Sequence, residues 1–186
     1  MKQLIYFLSL SCFFGFSQNQ VNLEESSVKW TGVQLSGKSH YGTLYFKSAD
    51  LTFSDEKLVG GDFVVDMTSL SVDDLTGRGK TSLEGHLKAN DFFSVNDFNY
   101  SELKLNAVSM ISENEYNATG DLTIKGRTHK AEVSFHKEEG SKNIKAKLVF
   151  DRSKYDVRYG SGSFFENLGD KLILDDIELE VTLVMM

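Results

Sequence analysis

The chain has 186 residues, 40% hydrophobic and 12% aromatic, with a formal net charge of −7. That fits one ordinary domain and excludes whole-chain disorder, while the acidic balance excludes nucleic-acid binding, which needs clustered Lys and Arg. There is no proline and only one cysteine, so a disulfide framework and a cysteine-based zinc site are excluded, and the missing proline suits a chain spent mostly in sheet.

The first residues read as a leader. Lys2 precedes the apolar run Leu4, Ile5, Tyr6, Phe7, Leu8, Leu10, Phe13 and Phe14, which ends in Gly15-Phe16-Ser17. A basic start, a short apolar core and small residues two apart are the pattern of a secretory signal peptide over residues 1–17, with one domain over residues 18–186. The apolar run is too short to span a membrane well. An acylated Cys12 is the weaker alternative, because Ser9 stands where a lipoprotein motif wants an aliphatic residue.

From Val21 onward the period is two. Leu103–Ala107, Gly120–Lys125, Ala131–Phe135, Ile144–Leu148 and Ile177–Leu183 alternate apolar and polar side chains, as strands with one dry and one wet face do. Turn-rich stretches at Ser54–Lys57, Ser112–Glu115 and Glu138–Asn143 separate the runs. About eight strands at hairpin spacing predict an all-β, antiparallel sheet, closed or nearly closed. Two stretches break the alternation: Leu70–Phe98, read as a short helix near Thr81–Lys88 and a turn at Asn90-Asp91, and Ser161–Leu168, read as a single helical turn.

Several motifs are weighed and set aside. Gly32–Ser39 fits the phosphate-loop pattern G-x-x-x-x-G-K-[ST], but strand, not helix, is predicted after it, so the match reads as a β-turn. His40, His86, His129 and His136 lack metal-ligand spacing. Asp73-Asp74 and Asp175-Asp176 are paired acids, but Asp175-Asp176 opens an amphipathic strand whose wet face its neighbours form, so a calcium site is set aside, and no G-x-S-x-G nucleophile elbow exists. Asn99-Tyr100-Ser101 and Asn117-Ala118-Thr119 are glycosylation acceptors only in a source that glycosylates them.

Strand parity is more informative. His40 shares a face with Leu44 and Phe46, and Arg152 shares one with Ile144, Ala146, Leu148 and Phe150. Either Arg152 snorkels to the rim or pairs with an acid, or both cations line the mouth of a cavity and meet a ligand's polar head. Inward candidates are Trp30, Leu44, Phe46, Phe63, Val65, Met67, Leu105, Leu122, Ile124, Val133, Phe135, Leu148 and Phe150, joined by the Leu83–Phe93 cluster with Leu87 and Phe92. Val64, Thr123, Lys125 and Lys147 are expected to face outward. An eight-stranded barrel either fills itself with side chains or holds one small ligand, and parity leaves both open.

The chain resembles the YceI-like family of exported lipid-binding proteins over nearly its whole length after the leader. The matching stretches are Val28–Gly32, Gly37–Thr43, Gly60–Met67, Leu83–Phe93, Gly120–Gly126 and Asp151–Val157, in that order and spacing. Where the family usually has a tyrosine-proline pair after Asp91-Phe92-Phe93, this chain has Asn99-Tyr100 and no proline. The resemblance implies an elongated, lipocalin-like barrel with a short helical segment, holding a long isoprenoid or other amphiphile, with no catalysis and no cofactor. It places His40, His86 and Arg152 at positions the family favours.

The expected function is therefore that of an exported, periplasmic or secreted, carrier or store of an isoprenoid, quinone or similar lipid. Its expected ligand contacts are His40, Phe46, Phe63, Val65, Met67, Leu87, Phe92, Leu105, Leu122, Ile124, Leu148, Phe150 and Arg152. A solid-core envelope or adhesion protein without a ligand is the alternative. An enzyme using His40 or His86 as base is less favoured, since no carboxylate or nucleophile can be placed beside either from sequence. Membrane or carrier contact is expected to be transient, because the chain is acidic, and a homodimer is left open.

Overall fold

The computed structural model describes residues 16–186, so most of the expected leader lies outside the described residues. Nine strands follow in chain order: β1 (Phe16–Gln20), β2 (Ser27–Gln34), β3 (Ser39–Ser54), β4 (Lys57–Asp66), β5 (Tyr100–Met110), β6 (Glu115–Ile124), β7 (Arg127–Lys137), β8 (Asn143–Asp151) and β9 (Ile173–Val184). One helix, α1 (Gly77–Lys88), stands between β4 and β5, and single 3-10 turns occur at Met67–Ser69, Arg152–Tyr155 and Gly169–Lys171.

Eight of the strands form a closed antiparallel barrel. β2 pairs with β9, each strand from β9 back to β4 pairs with its predecessor, and β4 pairs with β3. Closure depends on the length of β3. Its first part, Ser39–Leu44, pairs with β2, and Tyr45–Ser54 pairs with β4. Register shifts between Phe46 and Ser48 and between Thr52 and Phe53 mark irregularities that let so long a strand bend round a small barrel. β1 takes the edge of β3 that β2 leaves free, pairing with Asp50–Ser54; Phe16 and Ser17, the end of the expected leader, open this strand.

The hairpins form where backbone sterics permit. At the β3–β4 turn Asp55 and Glu56 have φ of 48° and 63°, and at the β6–β7 turn Lys125 and Gly126 have 51° and 70°. Two successive left-handed residues match the twist of antiparallel strands. Gly32–Ser39 is the β2–β3 hairpin, with Gly37 N–H donating to Gln34 O at 2.9 Å and strand on both sides, so the phosphate-loop match is a turn.

Between β4 and α1 the chain runs as a strap along the first part of β3, beyond the last β3–β4 pair at Tyr45 and Asp66. Ser71 and Asp73 donate their N–H groups to Thr43 O and Tyr41 O, at 3.0 and 2.9 Å. The approach is so close that a Cβ on Gly42 would lie 1.8 Å from Ser71 O. Two residues of α1 hold the strap from above: Val72 N–H donates to Glu84 Oε1 at 2.9 Å, and Lys80 Nζ donates to Val72 O at 2.6 Å. The helix is a turn longer than the Thr81–Lys88 expected, because these polar contacts, rather than an apolar stripe, anchor its first turns. The single helical turn expected over Ser161–Leu168 is a hydrogen-bonded turn from Ser161 to Phe165, and the 3-10 turn comes later, at Gly169–Lys171.

Candidate functional site

The barrel is hollow at the α1 end and packed at the other. Leu51, Leu58, Tyr116, Ala118 and Ile144 are buried toward the β3–β4, β5–β6 and β7–β8 hairpins and form a solid floor. Above it lies a cavity of about 330 Å³, within the range of pockets that enclose small molecules. Every barrel strand contributes to its wall, from Val28 and Trp30 on β2 to Ile177, Leu179, Val181 and Leu183 on β9. Leu83, His86 and Leu87 of α1, with Phe92 and Phe93 after it, form the roof.

Most of the residues expected at the site meet here. His40, Phe46, Phe63, Val65, Met67, Leu87, Phe92, Leu122, Ile124, Leu148 and Phe150 all line the cavity. The outward neighbours have the expected parity too, with Val64 and Thr123 only partly covered and Lys147 exposed, while Lys125 is half-covered because its Nζ donates to Asp156 O at 2.8 Å.

Two residues expected at the site lie off the cavity wall. Leu105 is buried but does not line the cavity. It sits further along β5, beside the register shift between Leu105 and Ala107, and belongs to the packed end. Arg152 does not line the cavity either. β8 ends at Asp151, and Arg152 opens a 3-10 turn, so the period-two rule that put it on the Leu148–Phe150 face stops one residue too early to apply. Its side chain is wholly buried. Nε donates to Leu174 O at 3.2 Å, Nη1 to Val157 O at 3.2 Å and Tyr159 O at 2.8 Å, and Nη2 to Ile173 O at 3.1 Å. Nη2 also lies 3.3 Å from Asp175 Oδ1. Burial pushes the guanidinium below its ordinary pKa, opposed by the Asp175 and Asp151 charges. Arg152 is a clasp between the Val157–Tyr159 loop and the start of β9.

The two cavity histidines each have a carboxylate that sequence could not place. His40 Nδ1 lies 2.7 Å from Asp74 Oδ2, and Tyr41 N–H donates to Asp74 Oδ1 at 3.0 Å. Burial works against the Asp74 charge, yet these hydrogen bonds hold its carboxyl below the usual value. His86 Nε2 lies 3.4 Å from Asp91 Oδ2, and its ring stands edge-on to Tyr159 with centroids 4.2 Å apart. Both carboxylates come from the irregular stretches flanking α1, where parity carries no information.

Other wall residues were legible in part. Ile177, Leu179, Val181 and Leu183 share one parity in an alternating run, and Ser101 has the parity of Leu103, so their faces could be read from sequence. Tyr159, Gln34 and Ile173 reach the wall from turns and strand ends and carry no such signal. Among the described residues no group of His, Cys, Asp or Glu gathers to hold a metal ion, and no helix is long and apolar enough to cross a membrane.

The family model of the YceI-like domain matches residues 20–185. No curated protein matches the chain in sequence. Among solved structures, BcnA of Burkholderia cenocepacia superposes with a TM-score of 0.68 at 22% identity, covering 89% of this chain and 99% of its own. A polyisoprenoid binding domain from Saccharophagus degradans superposes with a TM-score of 0.57 at 10% identity, covering 93% and 98%. The Campylobacter jejuni YceI protein gives 0.53 at 15% identity, covering 100% and 91%. At these identities the likeness is one of fold.

Proposed function

Since the chain belongs to the YceI-like family, a family of binding proteins, and encloses an apolar cavity, we propose that it holds an isoprenoid, quinone or similar long-chain amphiphile there for storage or transport. The observation that carries this reading is the shape and chemistry of the wall. It runs from Leu83 of α1 to Leu183 near the end of β9 and is apolar over nearly all of that path. Each CH₂ buried against such a wall contributes roughly 0.8 kcal/mol, and ordering the tail subtracts part of the sum. The Saccharophagus degradans neighbour is described as a polyisoprenoid binding domain, which supports the same ligand class here.

The reading is one of binding, not catalysis. A histidine–carboxylate pair needs a nucleophile or a labile proton beside it, and the nearby hydroxyls of Thr43 and Ser71 are both bonded to Asp73. Export to the periplasm or beyond rests on the leader pattern of residues 1–17: N-terminal sequencing of native protein is expected to begin near Gln18, and an intact Met1 overturns it. Lipid exchange takes place in transient contact with a membrane or carrier, since a formal charge of −7 opposes a lasting hold on an anionic surface.

Organic extraction of protein purified from its source, followed by mass spectrometry, tests the central claim. A co-purifying long-chain lipid is the expected result. Protein that carries no lipid and takes none up from a detergent solution would overturn it in favour of a ligand-free envelope protein.

A further inference from the structure

Among the described residues of the wall, one buried side-chain polar atom is left without a partner by the fold. Ser101, the second residue of β5, is Cα partner to Val65 and lies on the cavity wall at the α1 end. It is 8% exposed, and its Oγ makes no hydrogen bond. Buried hydroxyls are nearly always satisfied, because leaving one unpaired forfeits the water it gave up. A serine here therefore costs stability that an alanine would not, unless something in the cavity bonds it.

The charges around the cavity limit what that partner can be. Among the described residues no Lys or Arg lines the wall, and all the guanidinium nitrogens of Arg152 are committed to backbone carbonyls and Asp175. His40 and His86 face Asp74 and Asp91, so the cationic form of either ring already has its counter-ion. A phosphate or diphosphate brought under α1 would meet carboxylates and no free cation, and burying an unpaired anion is prohibitive.

Building on the lipid-holding reading, we infer that Ser101 is a specificity-determining residue: its hydroxyl bonds the single oxygen of a neutral long-chain amphiphile, an alcohol or carbonyl head lodged beneath α1, with the tail running toward Ala146 and Leu183. The site selects neutral heads over anionic ones of the same chain length and over bare hydrocarbon.

The test uses the delipidated full chain and three probes of about equal length: hexaprenol, hexaprenyl phosphate and squalene, each measured by displacement of a bound fluorescent fatty probe. The alcohol is expected to bind about 5- to 10-fold tighter than squalene, the yield of one net hydrogen bond, and tighter than the phosphate. Ser101→Ala should erase the advantage over squalene while leaving squalene affinity and thermal midpoint unchanged or raised, and Ser101→Thr, which keeps the hydroxyl, should retain it. A phosphate that binds as tightly as the alcohol, or a Ser101→Ala protein with an unaltered alcohol-to-squalene ratio, overturns the assignment. Failure of all three probes to bind the native chain overturns the lipid-holding reading itself and this inference with it, and is distinct from squalene bound with no preference, which overturns only the role of Ser101.

Discussion

The guanidinium carbon of Arg152 lies 5.6 Å from the centroid of the Phe92 ring. Phe92 lines the cavity and Arg152 does not, so the charge acts on the site through the ring it supports and through Tyr159 and Ile173, wall residues whose carbonyls it holds. A buried cation can sit against an apolar pocket because four backbone carbonyls and Asp175 surround it.

Replacing that clasp should unfold rather than re-specify the protein. Arg152→Met leaves the carbonyls of Val157, Tyr159, Ile173 and Leu174 without their donor and Asp175 without its counter-charge. The expected loss is about 3–5 kcal/mol, the usual result of removing one partner of a buried ion pair. Denaturant titration measures it. Bound lipid per folded molecule should be unchanged, and a change in lipid class at equal stability would contradict a purely structural role.

The deep end of the cavity can be filled without disturbing the fold. Ala146 lines the wall and is buried, with Phe135 and Val181 as its Cα partners on either side. In Ala146→Phe the ring enters empty space, so the cost should stay below the roughly 1–3 kcal/mol that overpacking a filled core incurs. Long-chain lipid recovered by extraction should fall sharply while the thermal midpoint holds. Full lipid occupancy in this variant would place the ligand elsewhere.

Gly42 is required by the strap. A methyl group there would lie 1.8 Å from Ser71 O and 2.8 Å from Trp30 Nε1, which donates to that same oxygen at 3.0 Å. Gly42→Ala must push the strap away, break the indole hydrogen bond and loosen α1 above it. A loss of at least about 2 kcal/mol is expected. Trp30 is the only tryptophan, so a red shift of its emission reports the displaced strap directly.

Acid should weaken the His40–Asp74 link. The Asp74 carboxyl has a folded-state pKa below its ordinary 3.8: burial opposes the charge, but hydrogen bonds from His40 and Tyr41 outweigh it. A depressed carboxylate contributes stability that is fully present above the unfolded value and is lost as pH falls through the folded one. Between about pH 5 and about pH 2 the native midpoint should therefore drop more than that of Asp74→Asn, which has no charge to lose there. Parallel curves for the two proteins would show that Asp74 is not linked to folding.

Alternation alone determined a great deal about this protein. With one dry face per strand, residues such as Phe63, Leu122 and Leu148 have only one way to point once the chain is sheet, and a slip of one residue would expose them all. Eight such strands and no proline led to an antiparallel barrel, and the order of the matching blocks led to the family. What the tertiary structure alone decided lies where the period stops. Arg152 left the cavity because β8 ended one residue before it, Leu105 fell into the floor beside a register shift, and His40 and His86 acquired carboxylates from loops that no periodicity governs. Whether the barrel was hollow was also decided there, because a cavity is a difference between the space that closed strands enclose and the volume their side chains fill. No single strand carries that difference in its sequence; the length of β3, the bends at its register shifts and the height at which α1 is held by Val72 set it together.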